Sequence, residues 1–132
     1  MSAPSLELDV QLRWSDVDEL GHVNNAVYLT YLETARVAFF GSLGPLTAAD
    51  FVLRRVEVDF LSQLTRADGA ARVEVRLAGV GTSSIRTAER VLAASDGRTV
   101  VEAAAVVVHL DETRERAAPL PEDVRALLAA HG

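Results

Sequence analysis

The sequence predicts an α+β domain in which an antiparallel sheet wraps one long helix. Segments with apolar residues at every second position recur along the chain, and one apolar segment without Gly or Pro lies between the first of them and the rest. Turn signals at Asp68-Gly69, Gly79 to Gly81 and Asp96-Gly97 separate the later strands. No repeat, linker or second domain is visible, so residues 1–132 are read as a single domain.

Leu6, Leu8, Val10, Leu12 and Trp14 alternate with Glu7, Asp9, Gln11, Arg13 and Ser15, the period of a strand with one buried face. Residues 15–24 break this pattern. Asn25 to Phe40 then reads as a helix ending at Gly41. Its apolar positions (Val27, Tyr28, Tyr31, Leu32, Ala35, Val37, Ala38, Phe39 and Phe40) cover more than one stripe, so the helix should be wrapped. After the Gly41 to Pro45 turn come Val56, Val58 and Phe60; then Val73, Val75 and Leu77; then Ser84 to Leu92, with Ile85 and Val91. The last strand, Val100 to Leu110, contains the unbroken apolar run Ala103 to Val108, which predicts burial of both faces in the middle of the sheet. The four later strands have the spacing of a meander, and the tail from Pro121 predicts a short helix with acidic residues in its first turn.

Composition narrows the function classes. A chain that is 49% hydrophobic and 24% charged is neither disordered nor a membrane protein, and a formal net charge of −6 argues against nucleic-acid binding. The absence of cysteine excludes disulfides, thiolate metal sites and a cysteine nucleophile. The opening Met1 to Ser5 carries no export signal, so a cytoplasmic location is expected. A domain of this size buries only about 68% of its unfolded surface. A partner subunit is therefore expected, through apolar residues on the outer sheet face or an unpaired edge strand.

The chemistry is concentrated in Arg13-Trp14-x-Asp16-x-Asp18-x-x-Gly21-His22-Val23-Asn24-Asn25-x-x-Tyr28-Leu29-x-Tyr31-x-Glu33-x-Ala35-Arg36. This segment resembles the hot-dog-fold thioesterases of the 4-hydroxybenzoyl-CoA thioesterase type, and the downstream strand spacing fits that family across essentially the whole chain. The resemblance implies a hot-dog fold, hydrolysis of an acyl-CoA thioester at the interface of a homodimer or dimer of dimers, and no redox or metal cofactor. It matches Asp18 to the catalytic carboxylate, acting as nucleophile or as general base on water; on residue type alone, a loop-capping Asp is the other reading. It also implies that a backbone N–H near Asn25, at the helix start, polarises the thioester carbonyl. Asn24 is either a contact in the site or an N-cap.

His22 has several readings: it bonds the carbonyl, orients Asp18 or water, donates to the leaving thiolate, or ties down the loop. In related acyl-ACP thioesterases the matching His is implicated together with an Asn two positions earlier. Leu20 stands there in this chain, which shifts the expected substrate from acyl-ACP towards acyl-CoA. Asp16 is read as a structural hydrogen-bonding group, Glu33 and Arg36 as a pair at i, i+3, and Tyr28 and Tyr31 as core rings or as lining of the acyl pocket. The family's CoA contacts around this part of the sheet, often from the neighbouring subunit, make Thr82, Ser83 and Arg86 candidates for pantetheine or phosphate; hairpin and surface residues are the other reading, and Arg54 and Arg55 compete for the phosphates.

Two other chemistries are weak. Asp16 to Gly21 imitates a calcium loop, but Leu20 and Val27 occupy ligand positions, and His22, His109 and His131 are too dispersed for a metal triad. The same fold also hosts enoyl-CoA hydratases and dehydratases, whose His loop with a following Pro-Gly is missing here, and noncatalytic acyl-CoA-binding subunits.

Overall fold

The computed structural model describes residues 5–44 and 48–129; Pro45 of the predicted turn and His131 fall outside them. Alternation becomes five antiparallel strands: β1 (Ser5–Gln11), β2 (Phe51–Phe60), β3 (Ala70–Val80), β4 (Ser84–Ala93) and β5 (Thr99–His109). Helix α1 (Asn25–Gly41) follows β1, and α2 (Glu122–Ala129) closes the described chain with Glu122 and Asp123 in its first turn.

The strand order is β1-β3-β4-β5-β2. This corrects the meander. β2 pairs with β5 through Val56↔Ala105 and Val58↔Ala103 and does not adjoin β3, so it forms one edge of the sheet. The inner face carries Val73, Val75 and Leu77 from β3 with Ile85 and Val91 from β4, all buried against Tyr28, Leu32, Ala35 and Phe39 of α1.

Three further expectations change. β1 stops at Gln11, because the Arg13 amide and guanidinium are captured by Asp16 and the chain turns into a 3-10 segment over Trp14–Asp16, leaving Trp14 82% exposed. In β5 the outer face is closed only in part: Val108 is buried, but Val106 is half-buried and Ala104 exposed, so no other element of the chain covers this apolar run completely. Helix α1 is packed on one side only, with Leu29 and Val37 still exposed.

Arg36 does not pair with Glu33. Its Nε and Nη2 donate to Glu89 Oε2 and Oε1 at 2.9 and 2.7 Å, and the Thr87 hydroxyl donates to the same carboxylate at 2.7 Å, all three residues being buried. The bidentate geometry and the Thr87 bond satisfy charges that would otherwise be costly under the helix.

Candidate active site

The loop between β1 and α1 is a narrow double-stranded turn. Asn24 N–H donates to the Asp16 carbonyl at 3.1 Å, Val17 bridges Val23, and Asp18 N–H donates to the His22 carbonyl at 2.8 Å. Its tip closes when Gly21 N–H donates to the Asp18 carbonyl at 3.0 Å, with Gly21 at φ +81°, a conformation that favours glycine.

This backbone geometry aims Asp18. Its Oδ1 accepts the Leu20 and His22 amides at 2.9 and 3.1 Å, while Oδ2 has no hydrogen-bond partner among the described residues. The carboxylate is therefore fixed in orientation by one oxygen and open to solvent through the other. His22 contributes to this grip through its backbone; its half-buried ring makes no hydrogen bond among the described residues.

Asp16 has the opposite environment. It is 1% exposed, and it accepts from the Arg13 amide and the Tyr31 hydroxyl through Oδ2 at 2.9 and 2.7 Å and from the Arg13 guanidinium through Oδ1. Burial opposes ionisation, but the Arg13 amide, the Tyr31 hydroxyl and the Arg13 guanidinium outweigh it and hold the carboxyl below the usual range. Burial and the Asp16 bond push the Tyr31 hydroxyl upward.

Helix α1 begins beside this turn. Asn24 is its N-cap: the side chain accepts Ala26 N–H at 2.9 Å, and its carbonyl accepts Val27 N–H. The Asn25 N–H, first in the helix, has no protein partner among the described residues and lies at the positive end of the helix dipole. The geometry thus puts an open carboxylate oxygen and a free helix-start amide on one loop, the pair that acyl transfer to water requires.

A segment without a strand or helix pattern in the sequence supports the turn from below. Val23 N–H donates to the Leu64 carbonyl at 2.9 Å, His22 bridges Thr65, and Leu64 N–H donates to the Tyr28 hydroxyl at 2.9 Å. Tyr28 is fully buried, with its ring 6.0 Å from that of Phe60, so it is a core residue of this chain and offers no open face for a ligand. The one signal for this segment was Thr65-x-x-Asp68 before Gly69, which forms a reciprocal capping box around a 3-10 turn.

Thr82, Ser83 and Arg86 are not brought to this end of their own chain. The turn they flank is tied to the α2 side by Leu120 N–H and Arg125 bonding the Thr82 carbonyl, and β4 runs ten residues, roughly 30 Å, before Ala93 pairs with Ala71 next to the Asp18 loop. Arg86 is exposed on the outer face, its guanidinium lying over Gly79 where a Cβ would collide with it. Arg55 bonds Glu57, and Arg54 sits at the β2 bulge. Trp14 and Leu20, in and next to the Asp18 turn, are exposed apolar residues, as are Phe60 and Leu61 at the end of β2.

A profile described as the thioesterase-like superfamily matches residues 12–128. The chain belongs to this family. Among solved structures, a Thermus thermophilus thioesterase complexed with coenzyme A and Zn superposes with a TM-score of 0.85 at 39% identity, covering 98% of this chain and 95% of that one. A 4-hydroxybenzoyl-CoA thioesterase mutant bound to 4-hydroxybenzoyl-CoA gives 0.82 at 18% identity over 96% and 99%, a likeness of fold. The five-stranded sheet with its packed helix is the hot-dog fold of these thioesterases. A chloroplastic acyl-acyl carrier protein thioesterase of Arabidopsis thaliana is 28% identical over 127 residues, 91% of this chain; the chain spans 65% of that relative's length. Among the described residues of this superfamily member, no group of three or more His, Asp or Glu is placed to hold a metal ion, and no helix is long and apolar enough to cross a membrane.

Proposed function

We propose that the protein is an acyl-CoA thioesterase, releasing a carboxylate and free CoA with Asp18 as nucleophile or general base. The observation that carries this reading is the half-anchored Asp18 carboxylate on the turn that leads directly into the helix start and its free Asn25 amide. With the thioester carbonyl oxygen on the Asn25 N–H, negative charge developing there meets the helix dipole. As nucleophile, Oδ2 attacks the carbonyl carbon, the C–S bond breaks, the thiolate takes up a proton, and water hydrolyses the resulting anhydride. As base, Oδ2 takes a proton from the water that attacks the carbonyl carbon, the C–S bond breaks, and the thiolate takes up a proton. Both routes give the same products, and the His22 ring is the nearby group suited to return a proton to sulfur.

The site belongs to an oligomer in this reading. The unpaired edge of β2, with exposed Val52, Leu53 and Phe60, and the uncovered Leu29 and Val37 of α1 form a surface suited to a second copy, giving a dimer or dimer of dimers. A second copy is also the route by which Thr82, Ser83 and Arg86 reach a CoA bound at Asp18, with Arg54 and Arg55 as rivals for the phosphates. The Arabidopsis relative favours acyl-ACP as the alternative thioester, whereas Leu20 and the CoA-bound Thermus structure favour acyl-CoA. The setting is cytoplasmic in the same reading, where acyl-CoA is available.

The test is thiol release from a panel of short, long and aromatic acyl-CoAs, with acyl-ACP and an enoyl-CoA alongside. Thiol release from an acyl-CoA is expected. Release from acyl-ACP alone would change the substrate, hydration of the enoyl-CoA without thiol would replace the reaction, and binding without turnover would leave a binding subunit.

A further inference from the structure

The segment that holds the Asp18 turn from below is itself held by one guanidinium. Arg98, from the turn between β4 and β5, donates through Nη2 to the Gln63 carbonyl at 2.6 Å and to Asp68 Oδ2 at 2.8 Å, and through Nη1 to Asp68 Oδ1 at 3.1 Å. It therefore grips both ends of residues 63–68. Asp68 completes the grip by accepting Thr65 N–H at 2.8 Å on Oδ2 and the Ser95 hydroxyl at 2.6 Å on Oδ1.

Between those two held ends lie Leu64 and Thr65, the residues that receive Val23 and bridge His22. His22 in turn supplies both the carbonyl that receives Asp18 N–H and one of the two amides on Asp18 Oδ1. Arg98 thus reaches the turn through the backbone of segment 63–68: the Leu64 carbonyl, next to the gripped Gln63, receives Val23 N–H, Thr65 lies opposite His22, and the His22 backbone holds Asp18. Exposed ion pairs contribute little to stability, but the Asp68 side chain is only 8% exposed and the pair is bidentate. The Arg98 hydrogen bonds hold the Asp68 carboxyl well below the usual carboxylate range, so the pair is intact at neutral pH.

We propose that the Arg98–Asp68 pair is a positioning device for the Asp18 carboxylate, acting through segment 63–68 and the backbone of His22 and Val23. The inference rests on the catalytic reading of Asp18. Arg98 and Asp68 touch neither water nor substrate in the reaction; they set where the reacting oxygen stands. A displacement of about 1 Å at a reacting group can cost on the order of a hundredfold in rate.

The experiment is steady-state thioester hydrolysis by Arg98→Met, Arg98→Lys and Asp68→Asn, together with amide hydrogen exchange at Val23 and Thr65. Arg98→Met is expected to lower kcat on the order of tenfold or more with KM changed by less than about twofold, and to speed exchange at Val23 and Thr65 while Val73 and Val91 stay protected. Arg98→Lys, which keeps the charge and one bond, is expected to recover part of the loss. Should Arg98→Met fail to fold, Asp68→Asn, which removes the charge with little change of shape, carries the same expectation. Wild-type kcat in folded Arg98→Met or Asp68→Asn overturns the proposal, as does a rate loss without faster exchange at Val23. Failure of the wild-type chain to release thiol would instead remove the functional reading, and Val23 exchange would then decide whether the clamp on the loop exists.

Discussion

The two ends of the Asp16 to Gly21 turn are built on opposite physical terms. At the base, Asp16 is buried, accepts from the Arg13 amide, the Arg13 guanidinium and Tyr31, and carries Asn24 on its carbonyl. At the tip, Asp18 is exposed, held by one oxygen on two amides, and left open at the other. The base joins the loop to the core; the tip presents a group to whatever arrives. Two carboxylates separated by one residue thus face opposite ways, one inward to donors and the other outward to solvent, and in the proposed reading this divides stability from chemistry.

The comparison breaks most sharply at Asp18. Replacing Asp18 with Asn keeps an oxygen for the Leu20 and His22 amides but removes the base or nucleophile, so kcat is expected to fall by about 10²- to 10⁴-fold. The melting temperature should stay essentially at its wild-type value. A variant that loses stability as well as activity would show that the tip, too, is part of the framework.

Asp16 should behave in reverse. Asp16→Asn loses the charge facing Arg13 and puts an N–H₂ group against donors, which is expected to cost about 1–3 kcal/mol of stability in chemical denaturation. Because its folded carboxyl titrates below the ordinary value, Asp16 contributes stability that is fully present above about pH 4. That contribution is lost as pH falls through the lower folded value, so the wild type should weaken in that acid range and Asp16→Asn should weaken less steeply. Equal kinetic losses in Asp16→Asn and Asp18→Asn would erase the distinction between base and tip.

This division was partly readable in the residues. Alternation located four strands and an unbroken apolar run the fifth, the Gly- and Pro-free apolar segment located α1, and the Asn24-Asn25 pair marked its start. What escaped was set by distance along the chain. Arg36 meets Glu89 53 residues away, and Arg98 meets Asp68 30 residues away, so no i, i+3 or i, i+4 pattern signals either pair. The assignment of β2 to the β5 edge had the same cause, since strand spacing records loop length but not which neighbour a strand chooses. Thr82, Ser83 and Arg86 were linked to the substrate through family likeness as contacts that often come from the neighbouring subunit, and their place at the far end of the same strands leaves only that route.

The smallest test concerns the residue that lets the tip close. Gly21 lies at φ +81°, and a Cβ built there would meet nothing within 4 Å, so Gly21→Ala carries backbone strain without a steric clash. The expected cost is about 1 kcal/mol. Its destination is the informative part. If the tip is a locally supported turn, the strain is relieved by loosening Leu20 and His22 from Asp18 Oδ1, and kcat falls several-fold, on the order of what about 1 kcal/mol implies, while global stability hardly moves. If the base transmits the strain, denaturation shifts and kcat does not. Gly21→Asn, whose side chain tolerates the left-handed region better than Ala, should lie between Gly and Ala on whichever measurement responds. That ordering separates a backbone effect from the mere presence of a side chain, and with it whether the carboxylate's aim is maintained within the tip or borrowed from the core.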